Sequence, residues 1–217
     1  MAPKMAAPTH PSSGRRTPRS SPNQASTQQK YSSNNPLVRY ANQRFFRALD
    51  SLADLATAST ILDAGCGEGV VLSRLSRGPG RRTFGLDLDP TRLLLTRLRL
   101  PGQALVVGDI HNLPFSAACF DLVLALEVFE HIGDPDQALR EAFRVSRRYL
   151  LASVPNEPWW RIGNMLRFKY LSHFGNTPEH IQHWSARGFR RFLSQHFSVA
   201  ALKTPFLWTF GLAQKHS

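Results

Sequence analysis

Apolar positions along this chain alternate between two periods, and the alternation predicts its elements. Leu37, Tyr40, Phe45, Phe46, Leu49 and Leu52 recur at spacings of three and four, which predicts a leading helix packed beside a sheet or over its cleft. Arg39, Arg44 and Arg47 fall among them and are expected on the wet face of that helix. Seven short apolar runs follow, at 60–64, 82–89, 104–109, 120–126, 149–154, 197–202 and 207–213, and read as strands. Helical patterns separate them, at 70–76, from Pro90 onward, from Asp134 to about Arg148, and at 185–195. Asp89 before Pro90 and Asp134 before Pro135 are N-cap and first-turn pairs, with Gln137 at the capping-box position. Strands alternating with helices predict an α/β fold, a Rossmann-like, mostly parallel sheet of seven strands with helices on both faces.

The first strand runs into Asp63-Ala64-Gly65-Cys66-Gly67-Glu68-Gly69 before the next helix begins at Val70. Alternating glycines let the backbone turn sharply and let a ligand lie against it, and the amide end of the helix points at whatever the loop holds. A dinucleotide fingerprint, Gly-x-Gly-x-x-Gly, needs glycine where Val70 stands. Asp63, two residues ahead of the first glycine, would repel a pyrophosphate but suits a ligand with an ammonium group and a sulfonium centre. Asp87 ends the second strand, 18 residues past Gly69, where nucleotide folds place an acid for ribose hydroxyls. Asp109 ends the third, 22 residues after Asp87. Three acids at successive strand ends form one constellation.

This pattern resembles motif I and the following strand ends of the class I S-adenosylmethionine-dependent methyltransferases, in their small-molecule, quinone-methyltransferase-like (type 11) branch. The resemblance spans roughly residues 35–215, and its donor half is the more specific. It implies S-adenosylmethionine as cofactor, held by Asp63, Gly65, Cys66, Gly67, Asp87, Leu88, Asp109, Ile110 and Glu127. In the family an acid at the Asp109 position faces the adenine amino group, and the residue at the Ile110 position contributes backbone and apolar contact to the ring. It also implies a seventh strand that inserts antiparallel beside the sixth. Cys66 reads equally well as a small packed residue, having no base near it in sequence.

Net charge is +12, but its distribution matters more. The first 49 residues hold eight Lys or Arg and no acid, residues 50–150 hold eleven basic and thirteen acidic, and residues 151–217 hold eight basic and two acidic. The basic balance therefore sits at the two ends and argues against a nucleic-acid site at the centre. Residues 1–30, rich in Pro, Ser, Thr and Gln, are expected to be a disordered basic tail ahead of a methyltransferase domain over 31–217. No run is long and apolar enough to span a membrane. Cys66 and Cys119 offer no disulfide framework, so a cytoplasmic setting is expected.

Residues 155–196, between strands five and six, form a long aromatic and basic insertion with Trp159, Trp160, Arg161, Met165, Arg167, Phe168, Lys169, Tyr170 and Phe174. Such a segment is expected to roof the site and select a small acceptor that is aromatic, lipid-like or acidic. The run 165–171 could also touch an anionic membrane surface transiently. Methyl transfer to a hydroxyl or amine needs a proton acceptor, and His131 after strand four is the first candidate, ahead of Glu130, His173, His180 and His183. Glu130 could instead orient a neighbour. His180 and His183 have metal-ligand spacing, yet no Cys or third clustered ligand accompanies them in sequence, so no metal is expected. Two alternatives remain open: an RNA or protein methyltransferase using the basic ends, and a silent scaffold with the same fold. Against the first, strand four ends in Ala125-Leu126-Glu127-Val128 and lacks the Asn/Asp-Pro-Pro-aromatic motif of exocyclic amino methylators.

Overall fold

The computed structural model describes residues 34–78, 80–157 and 180–216. The expected tail over 1–30, His173 and the aromatic stretch from Trp159 to Phe174 lie outside them. Helix α1 (Pro36–Leu55) starts where the sequence places it, because the Asn35 side chain accepts from Leu37 N at 2.9 Å and Pro36 presets the first turn. Its buried face is Ala41, Phe45, Ala48, Leu49 and Leu52. Leu37 and Tyr40, expected on that face, are exposed, and Tyr40 meets the ring of Phe206 instead.

The chain then alternates β1 (Thr60–Ala64), α2 (Val70–Leu75), β2 (Arg82–Asp87), α3 (Pro90–Arg99), β3 (Ala104–Val107), β4 (Phe120–Leu126), a single 3-10 turn (Phe129–His131), α4 (Pro135–Val145), β5 (Ser146–Pro155), α5 (Ala186–Leu193), β6 (Phe197–Lys203) and β7 (Trp208–Lys215). Seven strands form one sheet in the order β3-β2-β1-β4-β5-β7-β6. β7 runs antiparallel to both β5 and β6, and the pairs among β1 to β5 are parallel. One buried cluster on the sheet gathers Phe115, Phe120, Phe129, Leu139, Phe189 and Phe197 under α4 and α5. The other gathers Phe45, Leu49, Leu52, Leu122, Trp208 and Phe210 under α1. Apolar side chains on both faces explain why the central strands read as continuous hydrophobic runs.

Two boundaries depart from the periodic pattern. The fourth main-chain helix ends at Val145, ahead of Arg148, because Ser146 already pairs with Phe120 and the Cys119 amide donates to Val145 O at 3.0 Å. Strand pairing overrides helix propensity there. The Gln137 side chain does not reach back to close a capping box; its amide donates to His111 O at 3.1 Å, while the Asp134 carboxylate alone caps Gln137 N. Among the described residues no helix is long and apolar enough to cross a membrane.

Candidate functional site

The parallel order β3-β2-β1-β4 brings the carboxyl ends of four strands to one edge, and the loop after β1 lies across it. Gly65, Gly67 and Gly69 have φ of +88°, +53° and +72°, a conformation costly to any residue with a Cβ. At Gly65 an added Cβ would also stand 2.5 Å from Val128 Cγ2, so the turn after β4 closes directly onto this loop. The loop is pinned to β2 by Gly65 N and Cys66 N, which both donate to Leu86 O at 2.7 and 3.0 Å. Thr96 of α3 donates its hydroxyl to Gly67 O at 2.8 Å. α2 has six residues, so its dipole adds little, and loop shape and the acids carry the site's chemistry.

The three strand-end acids sit together on the edge but in different environments. Asp63 is 2% exposed, and among the described residues nothing donates to its Oδ2. Burial, and then the neighbouring charge of Asp87, push its carboxyl up to about 7. Asp87, also buried, accepts from Gly67 N at 2.8 Å through Oδ2 and from Asp89 N at 2.9 Å through Oδ1. It therefore shapes the loop as well as facing the edge, a role its position in sequence does not reveal. Asp109 lies two residues past β3, half-exposed, and its Oδ1 takes both the His111 amide at 2.9 Å and the His111 Nδ1 at 2.6 Å. Ile110 beside it is buried, whereas Leu88 is exposed. Cys66 points its sulfur at Gly85 on β2 and is buried, and that burial pushes its thiol pKa far up, so it is a packed, unreactive thiol.

Glu127 directly follows β4 with φ of +57°, left-handed backbone that costs a non-glycine residue about 1 to 3 kcal/mol unless its surroundings hold it. They do: its amide donates to Ser153 O at 3.0 Å, and its carboxylate accepts from Trp208 Nε1 at 2.8 Å and Ser153 Oγ at 3.4 Å. The side chain is thus aimed by β5 and β7. Trp208, Thr96 and Val128 all shape this edge and carry no signal in the local sequence. Asp109-x-His111 alone has a legible pattern, that of an Asx turn.

Beyond Glu127 the 3-10 turn carries Glu130, 1% exposed, and His131, with an imidazole 39% exposed. Ile181 N and Gln182 N both donate to Glu130 O, at 2.9 and 3.1 Å, and fasten the end of the insertion to this turn. His180, buried, lies with its ring 4.9 Å from that of His131. His183 turns the other way, toward Glu157 at 3.6 Å.

S-adenosylmethionine, the cofactor expected from the resemblance, suits this donor set. A buried carboxylate oxygen that receives no hydrogen bond among the described residues matches a cationic ligand group, and the glycine loop leaves backbone-close space no Cβ could share.

The chain's similarity to known proteins agrees. The sequence profile of the type 11 "Methyltransferase domain" family matches residues 62–149. A protein of Mycolicibacterium smegmatis named "Probable S-adenosylmethionine-dependent methyltransferase" is 36% identical over 107 residues, covering 48% of this chain and 41% of that protein. The malonyl-[acyl-carrier protein] O-methyltransferase of Serratia marcescens is 38% identical over 87 residues, 40% of this chain and 34% of that one. The chain spans less than half the length of these curated relatives. In fold it is similar to the magnesium protoporphyrin IX methyltransferase of Synechocystis, solved with bound SAH, with a TM-score of 0.63 at 18% identity over 87% of this chain and 91% of that one.

Proposed function

We propose that the chain, whose residues 62–149 match the type 11 methyltransferase-domain family, is a class I, S-adenosylmethionine-dependent methyltransferase that methylates an O, N or C atom of a small, aromatic or lipid-like acceptor. The observation that carries the reading is Asp63, a carboxylate buried at a strand end, raised to about 7 and facing a glycine loop. Such an acid is costly to the folded chain and repaid by a cationic ligand.

When bound, S-adenosylmethionine supplies an already activated methyl on a sulfonium. The chain's own residues then have three tasks. Asp63 and Glu127 hold the cationic end, Asp87 accepts from the ribose hydroxyls, and Asp109 with Ile110 takes the adenine. The turn 127–131 orients the acceptor in line, which is the larger part of such catalysis. His131, partly exposed at the end of β4, takes the proton that a hydroxyl or amine acceptor must lose. The name of one relative, the malonyl-[acyl-carrier protein] O-methyltransferase, supports O-methylation of a small acyl group. The insertion's aromatic and basic composition supports a small, aromatic or lipid-like acceptor.

Calorimetry with S-adenosylhomocysteine tests the donor site, followed by labelled-methyl transfer to phenols, quinones, amines, acyl thioesters and RNA. Asp87→Ala is expected to weaken S-adenosylhomocysteine binding by about 1.5 to 3 kcal/mol, the scale of a lost charged hydrogen bond. Unchanged affinity would remove Asp87 from the donor site, and transfer to RNA alone would replace the small acceptor.

A further inference from the structure

The turn after β4 and the end of the insertion bring together three side chains of metal-binding type, the adjacent Glu130 and His131 and, fifty residues past Glu130, His180. A Glu130 carboxylate oxygen and one ring nitrogen each from His131 and His180 all lie within 4.8 Å of one another. Glu130 and His180 are buried and His131 is at the surface, so the cluster has a closed back and an open front. The same place is braced by the main chain, since two consecutive amides, Ile181 N and Gln182 N, bond to Glu130 O and hold His180 against the turn. The turn in turn touches the glycine loop through Val128 and Gly65, so the cluster borders the expected methyl donor.

We infer that Glu130, His131 and His180 form a binding site for one divalent transition-metal cation of the zinc class, with its open position facing the acceptor. Imidazole nitrogens with one carboxylate suit zinc or cobalt better than calcium or magnesium, which prefer oxygen throughout. Three protein ligands with a vacant fourth position is the arrangement of catalytic zinc sites, whereas structural sites are closed by four. Ligands about 2.1 Å from one ion in a tetrahedral site stand about 3.4 Å apart, so the side chains need to close by at most about 1.4 Å, within small torsional adjustments. A cation also offsets the cost of a carboxylate held out of water.

The cation's position beside the acceptor rests on the methyltransferase reading; its binding does not. In that position it would hold an acceptor oxygen by Lewis-acid contact and lower its pKa, so that the acceptor's proton would pass to water at the open face; with the cation bound His131 would serve as a ligand, and it takes the acceptor's proton itself only in the metal-free chain. His183, three residues along, belongs to the Glu157 contact and is not part of the site.

The test uses the full chain, stripped of metal by chelator and titrated with cobalt(II), followed by the visible absorption of the four- or five-coordinate ion. One cobalt per chain is expected, displaced by zinc. His180→Ala and Glu130→Gln should each weaken cobalt binding at least about a hundredfold, the upper range seen when a supporting group alone is lost. His183→Ala should leave it within twofold, which excludes a general disturbance of the insertion. S-adenosylhomocysteine binding to the metal-free chain reports separately on the donor site, so a failed donor site and a failed metal site are distinguishable. Absence of cobalt absorption, or equal binding by wild type and His180→Ala, overturns the site; titration of His131 against Glu130 with no cobalt bound would identify the cluster as an ion pair instead.

Discussion

Asparagine in place of Asp63 is expected to weaken S-adenosylhomocysteine binding by about 3 to 5 kcal/mol at pH 8, the usual cost of removing one partner from a buried charge pair. The carboxylate is buried at the end of β1, and nothing among the described residues donates to its Oδ2. Its pKa therefore stands at about 7, raised from 3.8 by burial first and by Asp87 second. The sign of the pH dependence follows from that shift. Between 3.8 and about 7 the folded chain binds the proton that the unfolded chain has released, so stability of the ligand-free protein falls as pH rises through this window, and the penalty is complete above it. A cationic ligand needs the ionised acid. Wild-type affinity should thus rise roughly tenfold per pH unit up to about 7 and then level off. The Asp63→Asn protein should show no such rise, and its ligand-free melting temperature above pH 7 should be a few degrees higher than wild type. Calorimetry from pH 5.5 to 8.5 with melting curves on both proteins checks each part. Parallel pH profiles would mean that Asp63 faces no cationic group.

Phe45→Ala carries the largest expected loss of stability, about 3 to 5 kcal/mol. Phe45 is 1% exposed at the centre of α1's buried face. Its ring meets Trp208 at 5.1 Å, Phe210 at 4.9 Å and Phe46 at 5.5 Å, all edge-on, so truncation leaves a cavity and removes these aromatic contacts. The consequence reaches the site, because Trp208 also donates to Glu127 at 2.8 Å and helps hold its left-handed backbone. Chemical denaturation should show the stability loss without a change in slope, and S-adenosylhomocysteine should bind the folded variant several-fold more weakly. Full-strength binding by a destabilised variant would show that Glu127 is held without Trp208.

Residues 60–69 announce a strand, a sharp turn and a helix because glycine tolerance and an acid at a fixed spacing are local properties. Asp89 and Asp134 were equally legible as caps, since each acts on an amide within three residues of itself. The end of α4 was not, because helix periodicity continues through Arg148 and only pairing of Ser146 with Phe120 interrupts it. Nor was the exposure of Leu37 and Tyr40, which continue a helical stripe past the last point where the sheet can cover it.

The same division holds for the candidate site. Spacing along the chain was enough to place Asp63, Asp87 and Asp109 at three neighbouring strand ends, since period and length set where a strand stops. How each acid is used depends on partners far away: Asp87 on Gly67 and Asp89, Asp109 on His111, and Glu127 on Trp208 eighty-one residues later. The meeting of His180 with Glu130 and His131 is of this second kind. Local propensity and glycine geometry are written residue by residue, whereas burial, charge and ligand grouping arise when strands from distant segments share one edge.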